Sequence, residues 1–104
     1  MEGAHIVDRA EQTGQVLMVG YMNRESLART LRDRRACFWS RSRRKLWVKG
    51  ETSGHFLIVK EVRMDCDGDA LLVKCDPIGP TCHTNETSCF YRVVEADGTV
   101  RPDS

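Results

Sequence analysis

Residues 65–69 read Asp65-Cys66-Asp67-Gly68-Asp69. Three carboxylates and a thiol within five residues are poor packing material. The carboxylates repel one another, and each loses hydration if it is buried. A cation relieves both problems. Two more cysteines follow, Cys82 and Cys89, with His83 directly behind the first. The simplest reading is two neighbouring metal sites, a hard one of aspartate oxygens and a soft one of thiolates. In an extended segment alternate residues share a face. Asp65, Asp67 and Asp69 can then converge on one ion while Cys66 points away, although a turn at Gly68 distorts the alternation. Magnesium suits the aspartates and zinc the thiolates.

Each motif has a plainer rival. The aspartates do not form an EF-hand loop, because Gly68 precedes the third aspartate and Asp76 stands where the closing glutamate belongs. A solvated hairpin tip explains Asp67-Gly68 but gives Asp65 and Asp69 no role. The cysteine spacing, C-x15-C-x6-C, lacks the paired C-x2-C of a zinc finger. From spacing alone, small buried thiols compete evenly with ligands. Cys37 and Cys75 fall inside expected strands and read as buried packing residues.

At 104 residues with 40% hydrophobic content, the chain reads as one domain, 1–104, with a modest core. Its net charge of +1 argues against a nucleic-acid binder. Positive charge is local: Arg41, Arg43, Arg44, Lys45 and Lys49 lie within nine residues. Arg41, Arg43 and Lys45 can fork onto phosphate, and Trp47 can pack on a base or ribose. A charged surface loop is the rival reading. No apolar run approaches the roughly 18 residues that cross a bilayer, and the N-terminus lacks a secretory pattern. Five cysteines fit a disulfide scaffold badly, so a reducing cytoplasm is expected.

Patterning predicts short strands around His5–Val7, Val16–Val19, Ala36–Ser40, Leu46–Val48, Phe56–Met64, Ala70–Cys75 and Ser88–Glu95. One helix is expected from Arg24 to about Arg34, capped by Asn23, with Leu27 and Leu31 on one face. The tail from Asp97 is expected to fray. The fold class is therefore α+β, mainly antiparallel strands with one principal helix.

Five ordered blocks together resemble the phosphoribosyl-AMP cyclohydrolases of histidine biosynthesis. They are Gly20-Tyr21-Met22-Asn23, Ser40-Arg41-Ser42-Arg43, Lys45-Leu46-Trp47 with Lys49-Gly50-Glu51-Thr52-Ser53-Gly54, Asp65 through Leu71, and Gly79-Pro80 through Cys82-His83-Thr84 to Ser88-Cys89-Phe90. The resemblance runs from about Val16 to Tyr91. It implies zinc on Cys66, Cys82 and Cys89 and magnesium on Asp65, Asp67 and Asp69. It also implies a homodimer in which each zinc takes Cys66 from one chain and Cys82 and Cys89 from the other. The implied reaction is hydrolysis of the N1–C6 bond of the adenine ring by a zinc-activated water, giving the formimino-aminoimidazole carboxamide ribonucleotide. On this reading His83 takes the water's proton. Gly20 stands where alanine is common in the family, and Asn85-Glu86-Thr87 replaces a more basic segment. A zinc-stapled module closed by His83, or a nucleotide-binding regulator without turnover, is the competing expectation.

Overall fold

The computed structural model describes residues 3–103. Eight strands and one helix follow in the order β1 (Gly3–Ala10), β2 (Val16–Asn23), α1 (Arg24–Asp33), β3 (Cys37–Ser40), β4 (Lys45–Val48), β5 (Leu57–Met64), β6 (Ala70–Pro77), β7 (Arg92–Val94) and β8 (Val100–Pro102). A four-stranded sheet in the order β2-β1-β6-β5 forms the body, with β3-β4 and β7-β8 as separate hairpins. The α+β class, mostly antiparallel with one helix, is what the sequence predicts. The central pair is the exception: β1 and β6 run parallel, in register from His5↔Ala70 to Ala10↔Cys75.

Side-chain alternation explains the sheet's buried face. In β1, Ala4, Ile6, Asp8 and Ala10 are buried while the residues between them are not. Leu71, Val73 and Cys75 of β6 and Leu57 and Val59 of β5 face the same core. Opposite Asp8 and Arg9 the β1–β2 register shifts, so Asp8 pairs with Met18, Arg9 pairs with Val16, and Leu17 becomes the extra residue of a bulge.

The helix begins where its capping chemistry dictates. Asn23 Oδ1 accepts from the Ser26 amide at 2.9 Å, and Ser26 Oγ accepts from the Asn23 amide at 2.9 Å. Arg34 ends the helix in the left-handed conformation (φ 58°), its amide donating to the Thr30 carbonyl. The inward face is Ser26, Leu27 and Thr30, and much of it is polar. Thr30 Oγ1 donates to the Ser26 carbonyl at 2.8 Å and accepts from the Cys37 amide at 2.9 Å, which ties α1 to β3. Leu31 does not share this face as expected and is 48% exposed. Four residues advance about 40° around a helix, enough to carry Leu31 past the rim of the contact.

Two expectations near the C-terminus are corrected. Ser88–Glu95 is not one strand. Ser88 Oγ donates to the Val16 carbonyl and the Cys89 amide donates to the Leu17 carbonyl, both at 2.7 Å, so this stretch hooks onto the bulge. Only Arg92–Val94 is extended in a ladder. The tail is not frayed: Asp97-Gly98 turns the chain into β8, with Asp97 Oδ1 accepting from the Thr99 amide at 3.0 Å and Gly98 at φ 89°. Ser104 lies outside the described residues.

Gly20 is placed for contact rather than for a turn. A Cβ there would come within 2.6 Å of the Phe38 ring. Phe38 in turn stacks on Trp47, with centroids 4.9 Å apart and planes 29° apart. Gly20→Ala should therefore cost about 1–3 kcal/mol, the range for overpacking a core. Urea unfolding measures it, and an unchanged midpoint would contradict the contact.

Candidate active site

The acidic segment is the connection between β5 and β6. The Asp65 amide donates to the Ala70 carbonyl and the Gly68 amide to the Asp65 carbonyl, with Gly68 at φ 76°. Asp65 Oδ1 accepts from the amides of Asp69 (3.1 Å) and Ala70 (3.2 Å). This turn brings one carboxylate oxygen each of Asp65, Asp67 and Asp69 within 4.8 Å of one another, all exposed. Hydrogen bonds shared with Asp67 and Asp65, and their charges, push the Asp69 carboxyl up to about 6. Asp65 moves the other way. Desolvation works against that shift, but hydrogen bonds with Asp69, the Ala70 amide and Asp67 hold its carboxyl below the ordinary range. Three crowded, water-accessible carboxylates that share protons are a donor set suited to a hard divalent cation such as magnesium.

The cysteines divide into two places. Cys82 and Cys89 lie in the segment after β6. There the Cys82 amide donates to the Glu86 carbonyl and the Asn85 amide returns to the Cys82 carbonyl. Thr84 Oγ1 donates to Cys82 Sγ at 3.1 Å and is the main reason that thiol is pulled below its ordinary value. Burial, then hydrogen bonding and charge from Cys82, push Cys89 up. The two sulfurs are thus neighbours, and both feel the Lys49 ammonium. Cys66 is elsewhere. Its turn is tied to the sheet by the His5 amide donating to Asp69 (3.1 Å), whereas Cys89 is tied to Leu17, opposite Asp8 and Arg9. Three to four residues of β1 separate those levels, roughly 10–13 Å of strand. Among the described residues, the aspartates are the one group of three or more potential ligands that converges within a chain. Cys37 and Cys75 are buried as expected, and burial, with the nearby Asp8 and Asp76, pushes Cys75 up to about 12. His83 is exposed beside Cys82.

Residues 41–44 form the tip of the β3–β4 hairpin, with the Arg44 amide donating to Ser40 and Arg44 in the left-handed region (φ 55°). Two cavities adjoin there. One, about 500 Å³, is lined by His5, Tyr21, Trp39, Arg41 and Trp47 among others. The other, about 460 Å³, is lined by Ser40, Ser42, Arg43, Trp47 and Glu51. Arg41, Arg43 and Trp47 therefore face concave surface, while Lys45 lines neither cavity. Tyr21, Trp39 and His5 were not singled out from the sequence. Tyr21 sits within the Gly20-Tyr21-Met22-Asn23 block, but nothing local shows that the Arg41 guanidinium rests 4.3 Å over its ring.

Asp8 is the other residue that sequence reasoning missed. It is fully buried, and among the described residues neither carboxylate oxygen has a hydrogen-bond partner. Burial pushes its carboxyl up to about 8, against the pull of Lys49.

An α+β domain with three converging carboxylates, a pair of neighbouring thiols and aromatic, arginine-bearing cavities has the parts of an enzyme acting on a small polar molecule. The comparisons with known proteins narrow this class. A family model described as phosphoribosyl-AMP cyclohydrolase matches residues 18–91. A protein of that name from Clostridium botulinum (strain Okra / Type B1) is 60% identical over 79 residues, 76% of this chain and 72% of that protein. One from Nocardioides sp. (strain ATCC BAA-499 / JS614) is 58% identical over 84 residues, 81% of this chain and 68% of that protein. A third, from Methanothermobacter thermautotrophicus, is 55% identical over 91 residues, 88% and 66% respectively. The chain belongs to the phosphoribosyl-AMP cyclohydrolase family.

Asp8 makes stability depend on pH. An unfolded aspartate loses its proton near pH 4, whereas the folded one holds it to about 8. Its contribution is complete at acid pH and is lost as pH rises through that window, by up to about 1.4 kcal/mol per pH unit. Asp8→Asn should flatten this slope in urea unfolding between about pH 5 and 8. Parallel curves for the two proteins would contradict the assignment.

Proposed function

We propose that the chain hydrolyses the N1–C6 bond of the adenine ring of phosphoribosyl-AMP, a step of histidine biosynthesis. The observation that carries this reading is the convergence of Asp65, Asp67 and Asp69 beside Cys66 in a chain of this family.

Asp65, Asp67 and Asp69 would hold magnesium, and Cys66, Cys82 and Cys89 would hold zinc. Bound there, zinc supplies a Lewis acid that makes water a usable nucleophile near neutral pH, and magnesium offsets repulsion between carboxylates and substrate phosphate. The rest falls to side chains. His83, exposed next to Cys82, takes a proton from the attacking water. An oxygen–C6 bond forms, the C6–N1 bond breaks, and N1 gains a proton. The exocyclic nitrogen stays on C6 and becomes a carboxamide. Arg41 and Arg43 bind phosphate and Trp47 packs on the nucleoside. Lys45, outside both cavities, has the weaker claim to a phosphate contact.

Each soft centre is built from two chains in a homodimer, Cys66 from one and Cys82 with Cys89 from its partner. The spacing of these residues along the sheet supports this. So does apolar surface that one chain leaves open: Val19 and Met64 are each 57% exposed, and Met64 and Leu72 line an apolar groove of about 360 Å³. All five cysteines are free and, among the described residues, no helix is long and apolar enough to cross a membrane. Free thiols suit a reducing compartment, and we place the protein in the cytoplasm as a single domain.

Ultraviolet absorbance during incubation with phosphoribosyl-AMP tests the reading. Ring opening should proceed, stop with a zinc chelator, and return when zinc is restored. Cys82→Ala should lower turnover at least about hundredfold, and a wild-type rate in that variant would overturn the zinc assignment. His83→Ala should lower kcat more than it raises KM, and an unchanged kcat across pH would remove His83 from the proton transfer.

A further inference from the structure

We infer that the two cavities meeting at Trp47 divide the substrate between them: the Arg41 cavity takes the AMP half and the Arg43 cavity takes the added phosphoribosyl arm. The inference rests on the functional reading above and sharpens it.

The substrate carries two phosphates, one on AMP and one on the phosphoribosyl group. The hairpin tip presents two arginines on either side of one indole. Trp47 lines both cavities, Arg41 lines the first and not the second, and Arg43 lines the second and not the first. The walls differ as the two halves differ. The Arg41 cavity has Trp39 and Trp47, indoles on which a purine stacks, with Tyr21 beside them. Its guanidinium is already oriented 4.3 Å over the Tyr21 ring, which leaves its N–H edge for an anion. The Arg43 cavity has Ser40, Ser42 and Glu51, which pair with sugar hydroxyls rather than with a base. The Arg43 amide is itself held by Ser40 Oγ at 3.2 Å, and Glu51 by the Val48 amide at 3.3 Å, so this cavity's polar wall is fixed.

One wall of the first cavity, His5, belongs to the strand that is tied to the acidic turn, the His5 amide donating to the Asp69 carbonyl at 3.1 Å. On this division Tyr21 and His5, which line the first cavity, contact substrate in addition to Trp47. The indole is held in place from behind by Phe38, which needs Gly20 to have no side chain.

The test compares Arg41→Met and Arg43→Met in the full-length protein. Both arginines are exposed, so both variants should fold, and thermal unfolding checks this. Each should raise KM for phosphoribosyl-AMP about tenfold or more, the effect of one lost charge-assisted contact. AMP used as a competitive inhibitor should weaken by a similar factor in Arg41→Met and be unchanged in Arg43→Met. Equal weakening of AMP in both variants, or none in either, overturns the division. Should the wild-type chain open no phosphoribosyl-AMP, the functional reading fails, and the division is then decided by quenching of Trp39 and Trp47 fluorescence with AMP in the same three proteins. AMP that quenches none of them, or quenches both variants alike, defeats it.

Discussion

The parallel register of β1 on β6 is the constraint on which the rest depends. With His5 opposite Ala70 and Ala10 opposite Cys75, the start of β1 is fixed beside the acidic turn and its end beside the bulge at Leu17. Asp65, Asp67, Asp69 and Cys66 go to the first level. Cys82 and Cys89 go to the second, because Ser88 and Cys89 bond to the Val16 and Leu17 carbonyls. The soft centre proposed on these three sulfurs would then be a matter of assembly and not of folding one chain. Slipping this register by one residue would reverse every side chain of β1, taking Ile6 out of the core.

Packing reaches the cavities through one chain of contacts. Gly20 admits the Phe38 ring against β2, Phe38 stacks on Trp47, and Trp47 is the wall common to both cavities. Thr30 performs the matching task for α1, satisfying the Cys37 amide where an apolar side chain would leave it unpaired. Asp8 runs against this economy. A carboxyl with no hydrogen-bond partner in the core is destabilising unless protonated, and this one lies near Lys49 and the paired thiols.

Much of this was legible from residues alone, where the signal is local. Asn23 followed three residues later by Ser26 fixes the helix start through hydrogen bonds within one turn. The Asp65–Asp69 run marks a polar connection between two apolar strands. Tertiary choices were not legible. Nothing near Gly3–Ala10 shows that it pairs in parallel with a strand sixty residues on, and Asp8 reads as a surface charge until its neighbours are seen. Leu31 has the right spacing for a buried face but loses its place to Thr30, since the helix docks through a hydroxyl. Ser88–Phe90 has β-forming content, yet side-chain and backbone bonds to the bulge hold it out of a ladder. The candidate ligands were legible as residue types, the family resemblance implied how they group, and their separation along β1 is what the proposed sharing between two chains would resolve.

Mixing two inactive variants tests that sharing most directly. Cys66→Ala and Cys82→Ala homodimers are each to be assayed alone, then combined, unfolded and refolded together. A heterodimer has one doubly damaged centre and one intact centre, so random pairing should restore about a quarter of wild-type turnover and of bound zinc. No recovery of either, from a mixture shown to contain heterodimers, would mean that the sulfurs do not meet across chains.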